Sequence, residues 1–103
     1  MRDVNVIDML ILIVNYIVRA GTEEQAKQFG RKMEESTRKE PGCRFYVCQQ
    51  STQNPRHICF YEQYDDQAAM DAHRAAPYFA EYVTNGISKL GESRQAETFA
   101  PVS

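Results

Sequence analysis

The chain has 103 residues, 43% hydrophobic and 25% charged, with a formal net charge of −2. One domain is expected at that length, and so small a domain buries only about two-thirds of its unfolded surface, leaving a second subunit useful apolar surface to cover. The basic residues are scattered along the chain rather than grouped, so no nucleic-acid partner is expected, because phosphate binding needs a concentrated patch.

The apolar run Met9–Val14 is too short for a bilayer, which takes about 20 residues, so no membrane partner is expected. Arg2, Asp3 and Asp8, with no small-residue cleavage site, argue against a signal peptide. Cys43, Cys48 and Cys59 have no metal-ligand spacing and predict free thiols in a reducing cytoplasm. Residues 1–8 read as an N-terminal extension of unassigned conformation, and residues 9–103 as one domain.

Residues 9–18, β-branched and apolar, predict a first strand. Leu10, Leu12, Val14 and Tyr16 point to one side and Ile11, Ile13, Asn15 and Ile17 to the other. Both faces are apolar enough to need cover, helices on one and a second subunit on the other. Gly21 ends the strand, Thr22 and Gln25 form a capping-box pattern, and a helix runs to Lys39 with Ala26, Phe29 and Met33 as its buried stripe. Glu23 and Glu24 in the first turn and Arg38 and Lys39 in the last suit the helix dipole. Pro41-Gly42 stops the helix.

Residues 43–50 and 57–64 predict a hairpin across the polar loop Ser51–Arg56. A symmetric hairpin sets Cys48 opposite Cys59, with Phe45, Val47, Ile58, Phe60, Glu62 and Tyr64 on one face and Tyr46, Cys48, Cys59 and Tyr61 on the other; a one-residue slip would exchange these sets. Asp65-Asp66 offers an N-cap for a second helix holding Ala68, Ala69, Ala72, His73 and Ala76. Pro77 opens a continuing helical segment, Tyr78 to Asn85, with Gly86 as C-cap. A last strand is expected at 95–100. The order βαββαβ is the split βαβ pattern, a ferredoxin-like α+β fold.

Two stretches in this order resemble the antibiotic-biosynthesis monooxygenase family: Glu40-Pro41-Gly42-Cys43, and Phe60-Tyr61-Glu62-Gln63-Tyr64 followed by Asp66, Ala69, Ala72-His73 and Pro77-Tyr78-Phe79. The likeness covers residues 9–100. It implies an antiparallel sheet with helices on one face, a homodimer whose two sheets form an α+β barrel, and a pocket between sheet and helices in each subunit. Some relatives oxygenate phenolic or quinol-type polycycles with dioxygen alone, others degrade haem, and a third branch isomerises a phosphorylated autoinducer-2 sugar. Haem-degrading relatives carry their iron-binding His where this chain has Val83, which argues against haem.

Asn15 is the one amide on an apolar strand face, either satisfied by backbone or, as the resemblance implies for dioxygen-using members, polarising a substrate oxygen. Tyr64, by the same resemblance, lines the pocket or is a core residue. Glu62, on its face, would be desolvated into a proton carrier or paired with an arginine such as Arg44 or Arg94. His73, among small residues, suits acid–base work or packs as a hydrogen-bonded core residue; His57 is expected to be structural. The two histidines on opposite sides of the sheet make no zinc or iron site. Cys43, on the pocket side, is expected to be a small hydrophobe rather than a nucleophile. Phe29, Met33, Phe45, Phe60 and Phe79 are the expected substrate-binding residues, though Phe29, Met33, Phe79 and Tyr82 could equally fill the pocket.

The leading expectation is a cofactor-independent monooxygenase acting on a small aromatic, phenolic or quinol substrate, with Asn15, Glu62, Tyr64 and His73 as catalytic residues. The alternatives are an isomerase of a small phosphorylated or keto sugar, with Arg44, Arg74 and Arg94 as candidate phosphate-binding groups, and a ligand-binding dimer without turnover.

Overall fold

A computed structural model describes residues 8–102; all but the last residue of the expected N-terminal extension lies outside this range. The described elements are β1 (Leu10–Val18), α1 (Glu23–Thr37), β2 (Cys43–Gln50), β3 (His57–Tyr64), α2 (Gln67–Ala75), α3 (Pro77–Phe79), a π-helical stretch (Ala80–Ile87), α4 (Ser88–Leu90) and β4 (Gly91–Phe99). The strands form one sheet in the order β2-β3-β1-β4, every neighbouring pair antiparallel. This is the ferredoxin-like α+β arrangement.

The alternation read in β1 is present. Leu12, Val14, Tyr16 and Val18 are buried, while Ile11, Ile13, Asn15 and Ile17 are half-covered on the outer face. In β3 the same period buries Ile58, Phe60, Glu62 and Tyr64. Helix α1 lays Ala26, Gly30, Met33 and Thr37 on the inner face of the sheet, and Met70 and His73 are the buried residues of α2. Phe29 is only partly buried, against the core.

The hairpin departs from the symmetric expectation. Cys48 pairs with Phe60, Gln49 with Cys59 and Tyr46 with Glu62. The loop is the cause: Ser51 N–H donates to the His57 carbonyl, and the Ser51 hydroxyl oxygen accepts from the N–H groups of Gln53 and Asn54, closing the turn around residues 52–56. That one-residue offset turns the β2 side chains from Phe45 onward to the opposite face, while Cys43 keeps its expected pairing with Tyr64 and its place against the core. Tyr46 becomes core at 2% exposure, and Phe45 stands on the outer face at 49%, edge-on to Tyr61. A register shift between Cys43 and Phe45 leaves Arg44 as an extra residue.

Four smaller expectations are corrected. Thr22 makes no side-chain cap; its hydroxyl donates to the Arg19 carbonyl, and Glu23 instead accepts from Gly21 N–H. The first helix stops at Thr37, and Arg38 turns back to donate to the Tyr46 carbonyl. Gly86 is a kink rather than a C-cap, since the chain continues through Ser88–Leu90. The last strand starts at Gly91, earlier than expected, because its first residues pair with Tyr16–Val18.

Candidate active site

The inner face of the sheet, α2 and α3 enclose a small cavity. Its floor is Val14, Tyr16, Phe60 and Glu62; Tyr46, His73 and Phe79 wall it, and Arg74 and Arg94 border it from exposed positions. Its volume is about 30 Å³, room for a water-sized guest and well below the several hundred Å³ of a typical ligand pocket.

Glu62 is 3% exposed. The period of β3 points it inward, and Tyr64, two residues on, donates its hydroxyl to Glu62 Oε1 at 2.5 Å. His73 comes down from α2, which Asp66 caps by accepting from Ala69 N–H. Its Nε2 lies 3.8 Å from Glu62 Oε1, and its Nδ1 lies 3.1 Å from Glu40 Oε2. Rings surround the imidazole: the centroids of Tyr64 and Phe79 each lie 5.3 Å away, and that of Tyr46 at 5.8 Å.

Burial dominates the electrostatics. It lifts the Glu62 carboxyl to about 7, opposed by the Tyr64 hydrogen bond and the positive charge of Arg74. It likewise lifts Glu40 to about 7. Desolvation, helped by Arg74, pushes the His73 imidazole down to about 4. The Tyr64 hydroxyl, buried and beside Glu62, is raised far out of the titrating range. A carboxyl balanced between its two forms at neutral pH, in an apolar cavity, can take and return a proton.

The structure thus brings together Glu62, Tyr64, His73, Phe60 and Phe79 from the expected set. Asn15 does not join them: it lies on the outer face, 2.6 Å from His57 Nε2, which satisfies the amide. Phe45 is excluded by the register offset, Met33 is packed under α1 without lining the cavity, and Phe29 sits against Gly86. Arg44 pairs weakly with Asp65 at 3.9 Å, whereas Arg74 and Arg94 share the cavity border.

Glu40 and Tyr46 are additions to the site. The available signal for Glu40 was an acidic residue immediately before Pro41-Gly42, at the point where the chain doubles back beside α2. Cys43 and Cys48 are raised by burial to about 11 and 12, which leaves both thiols protonated. Cys59 lies on the face opposite Cys48, so the two are not cross-strand neighbours. Among the described residues no cluster of His, Cys, Asp or Glu is arranged to hold a metal ion, and no helix is long and apolar enough to cross a membrane.

Comparison with known proteins bears on the fold and the lineage. A family model described as antibiotic biosynthesis monooxygenase matches residues 9–85. An uncharacterized protein of Synechocystis sp. is 25% identical over 92 residues; the match covers 89% of this chain but 63% of that protein's length. A crystal structure from Shewanella oneidensis superposes with a TM-score of 0.87 at 26% identity, covering 92% of each chain. One from Bacteroides thetaiotaomicron, described as a possible oxidoreductase, gives 0.86 at 24% identity, covering 92% of this chain and 99% of its own.

Proposed function

Because this chain belongs to the antibiotic biosynthesis monooxygenase family, whose name carries an activity but no substrate, we propose that it oxidises a small phenolic or quinol-type substrate with dioxygen and no cofactor. The observation that carries this reading is Glu62, buried in an aromatic cavity, hydrogen-bonded by Tyr64 and facing His73 Nε2. A phenol can supply electrons to dioxygen once it is deprotonated, so the protein need only remove a proton, stabilise the anion and exclude water. Glu62 takes the proton. Arg74 and Arg94 stabilise the anion, the role first expected of Asn15. Tyr64 fixes the carboxyl, and Tyr46, Phe60 and Phe79 hold the ring.

Dioxygen matches the cavity as it stands; the substrate ring needs Phe79 and Val83 to move outward. Phe79 and Val83 lie on the helical segment that leads into the kink at Gly86. Residues 9–103 act as one domain in this reading. The outer face, with Ile11, Ile13 and Ile17 half-exposed and Phe45 exposed in the single chain, supports assembly as a homodimer. The three free thiols support a reducing cytoplasm.

The test is turnover under ¹⁸O₂ with a panel of small phenols and quinols. The expected result is one labelled oxygen in the product and one dioxygen consumed per substrate. Failure of the whole panel to consume dioxygen would reject the reading. A second reading gains from one observation, the two arginines bordering the cavity: an isomerase using Glu62 to form an enediol from a phosphorylated sugar. It predicts solvent-hydrogen exchange into the sugar without dioxygen uptake.

A further inference from the structure

We propose that Glu62, His73 and Glu40 form a proton relay joining the cavity to a separate surface groove, with Glu40 as the positioning residue that acts through His73. The inference rests on the proposed role of Glu62 as base. A base that is 3% exposed has little direct contact with bulk water. His73, 1% exposed, stands behind it. Beyond His73 lies Glu40, whose side chain is 19% exposed and borders a groove of about 700 Å³ formed with Pro41, Gly42, Ala69 and Ala72. The three groups therefore span the wall between two spaces.

Imidazole is the side chain that accepts at one nitrogen while donating from the other. Here both nitrogens face carboxyls, Nδ1 at hydrogen-bond distance from Glu40 and Nε2 at 3.8 Å from Glu62, a gap that a small ring shift closes. The two carboxyls are level, each near 7, and the imidazole between them near 4. A proton can therefore cross His73 without being trapped there. The other ionisable groups facing this row are Tyr46, Tyr64 and Cys43, all raised and neutral, and the cations Arg74 and Arg94.

The bookkeeping closes for the reaction phenol + O₂ → quinone + H₂O. The substrate O–H proton passes to Glu62 Oε1 and on to His73 Nε2, while the Nδ1 proton moves to Glu40. The phenolate loses electrons to dioxygen, and a ring carbon forms a C–O bond to the resulting peroxide. The relay then runs backward, protonating the peroxide; the O–O bond breaks, the ring C–H proton is lost, and water leaves. Reversal restores the starting imidazole tautomer.

The test compares Glu40→Gln with wild type in two independent ways. First, ¹⁵N and ¹³C NMR titration follows His73 and Glu62 without substrate. The relay predicts that Glu62 titrates at lower pH in the variant, because Glu40, which ionises near the same pH, no longer repels its carboxylate, while His73, which titrates where Glu40 is already neutral, does not move; unchanged titration of Glu62 overturns it. Second, kcat in dioxygen uptake should fall about tenfold or more, with KM little changed, and recover in concentrated imidazole buffer, as expected when an external acid–base replaces an internal one. A fall that buffer does not rescue, or no fall, overturns the relay. If wild type turns over no substrate, the proposed reaction fails while the NMR comparison still decides the relay.

Discussion

The two faces of the sheet each hold a histidine beside an acidic or amide partner, and they differ in how much water reaches them. On the outer face Asn15 and His57 are half-exposed and bonded at 2.6 Å. On the inner face Glu62 and His73 are almost completely buried, and burial moves the carboxyl to about 7 and the imidazole to about 4. Similar side chains in similar pairs differ in chemical capacity because desolvation penalises the charged form. The strand period assigns each group to its face, so one sheet separates a dry inner pair from a half-exposed outer one.

The largest test of this contrast is stability. Phe60→Ala should destabilise by about 3–5 kcal/mol, because it opens a cavity in the inner core. Phe45→Ala, on the outer face, should change monomer stability by less than about 1 kcal/mol. Urea midpoints at low protein concentration measure both; a larger loss for Phe45 that grows with protein concentration would mark the outer face as a subunit interface.

The pH dependence comes next. Glu40 and Glu62, raised from 4.5 to about 7, contribute stability that is complete below 4.5 and lost as pH rises through 7. His73, lowered from 6.5 to about 4, contributes stability that is complete above 6.5 and lost as pH falls through 4. Between pH 5 and 6.5 the folded state thus holds two carboxyl protons where the unfolded state holds one on His73. Stability should fall by about 1.4 kcal/mol per pH unit for that net proton, and fall further towards 7 as the unfolded histidine deprotonates. Thermal midpoints measured from pH 5 to 7.5 check the slope. Glu62→Gln removes one of the two carboxyl contributions and should flatten the curve between pH 5 and 6.5.

Smaller effects follow. Gly30 has no room for a side chain, since a Cβ there would overlap Cys48 Sγ and touch its Cβ at 3.0 Å. Gly30→Ala should cost about 1–3 kcal/mol by lifting α1 from the inner face, as read from denaturant midpoints. On the outer face, Asn15→Ala removes a partly exposed hydrogen bond and should cost roughly 0.5–1.5 kcal/mol.

Much of the fold was legible because β1 is a β-branched apolar run ended by Gly21 and because Pro41-Gly42 and Pro77 punctuate the helices. The β2 register was not. Phe45 and Tyr46 are both aromatic, so hydrophobicity could not choose which faced inward, and the choice fell to hydrogen bonds of Ser51 in the loop. Glu62, Tyr64 and His73 were readable as a carboxyl, a phenol and an imidazole on apolar faces. Glu40 was not, because its role depends on the turn after α1 meeting α2, a contact between residues 33 positions apart. Asn15 was grouped with its true neighbours Ile11, Ile13 and Ile17 but expected in the site with Glu62 and His73; its partner His57 belongs to the neighbouring strand and emerged only with the pairing register. The start of β4 was hidden for another reason: an edge strand exposed along nearly its whole length shows no apolar alternation.

The measurement that tests the central claim most directly is steady-state dioxygen uptake by Glu62→Gln and Asn15→Ala beside wild type, on the phenol or quinol that wild type turns over. With the chemistry on the inner face, Glu62→Gln lowers kcat by about 100-fold or more while Asn15→Ala stays within about twofold of wild type. Full activity in Glu62→Gln with loss in Asn15→Ala would place the reaction on the outer face and contradict the account.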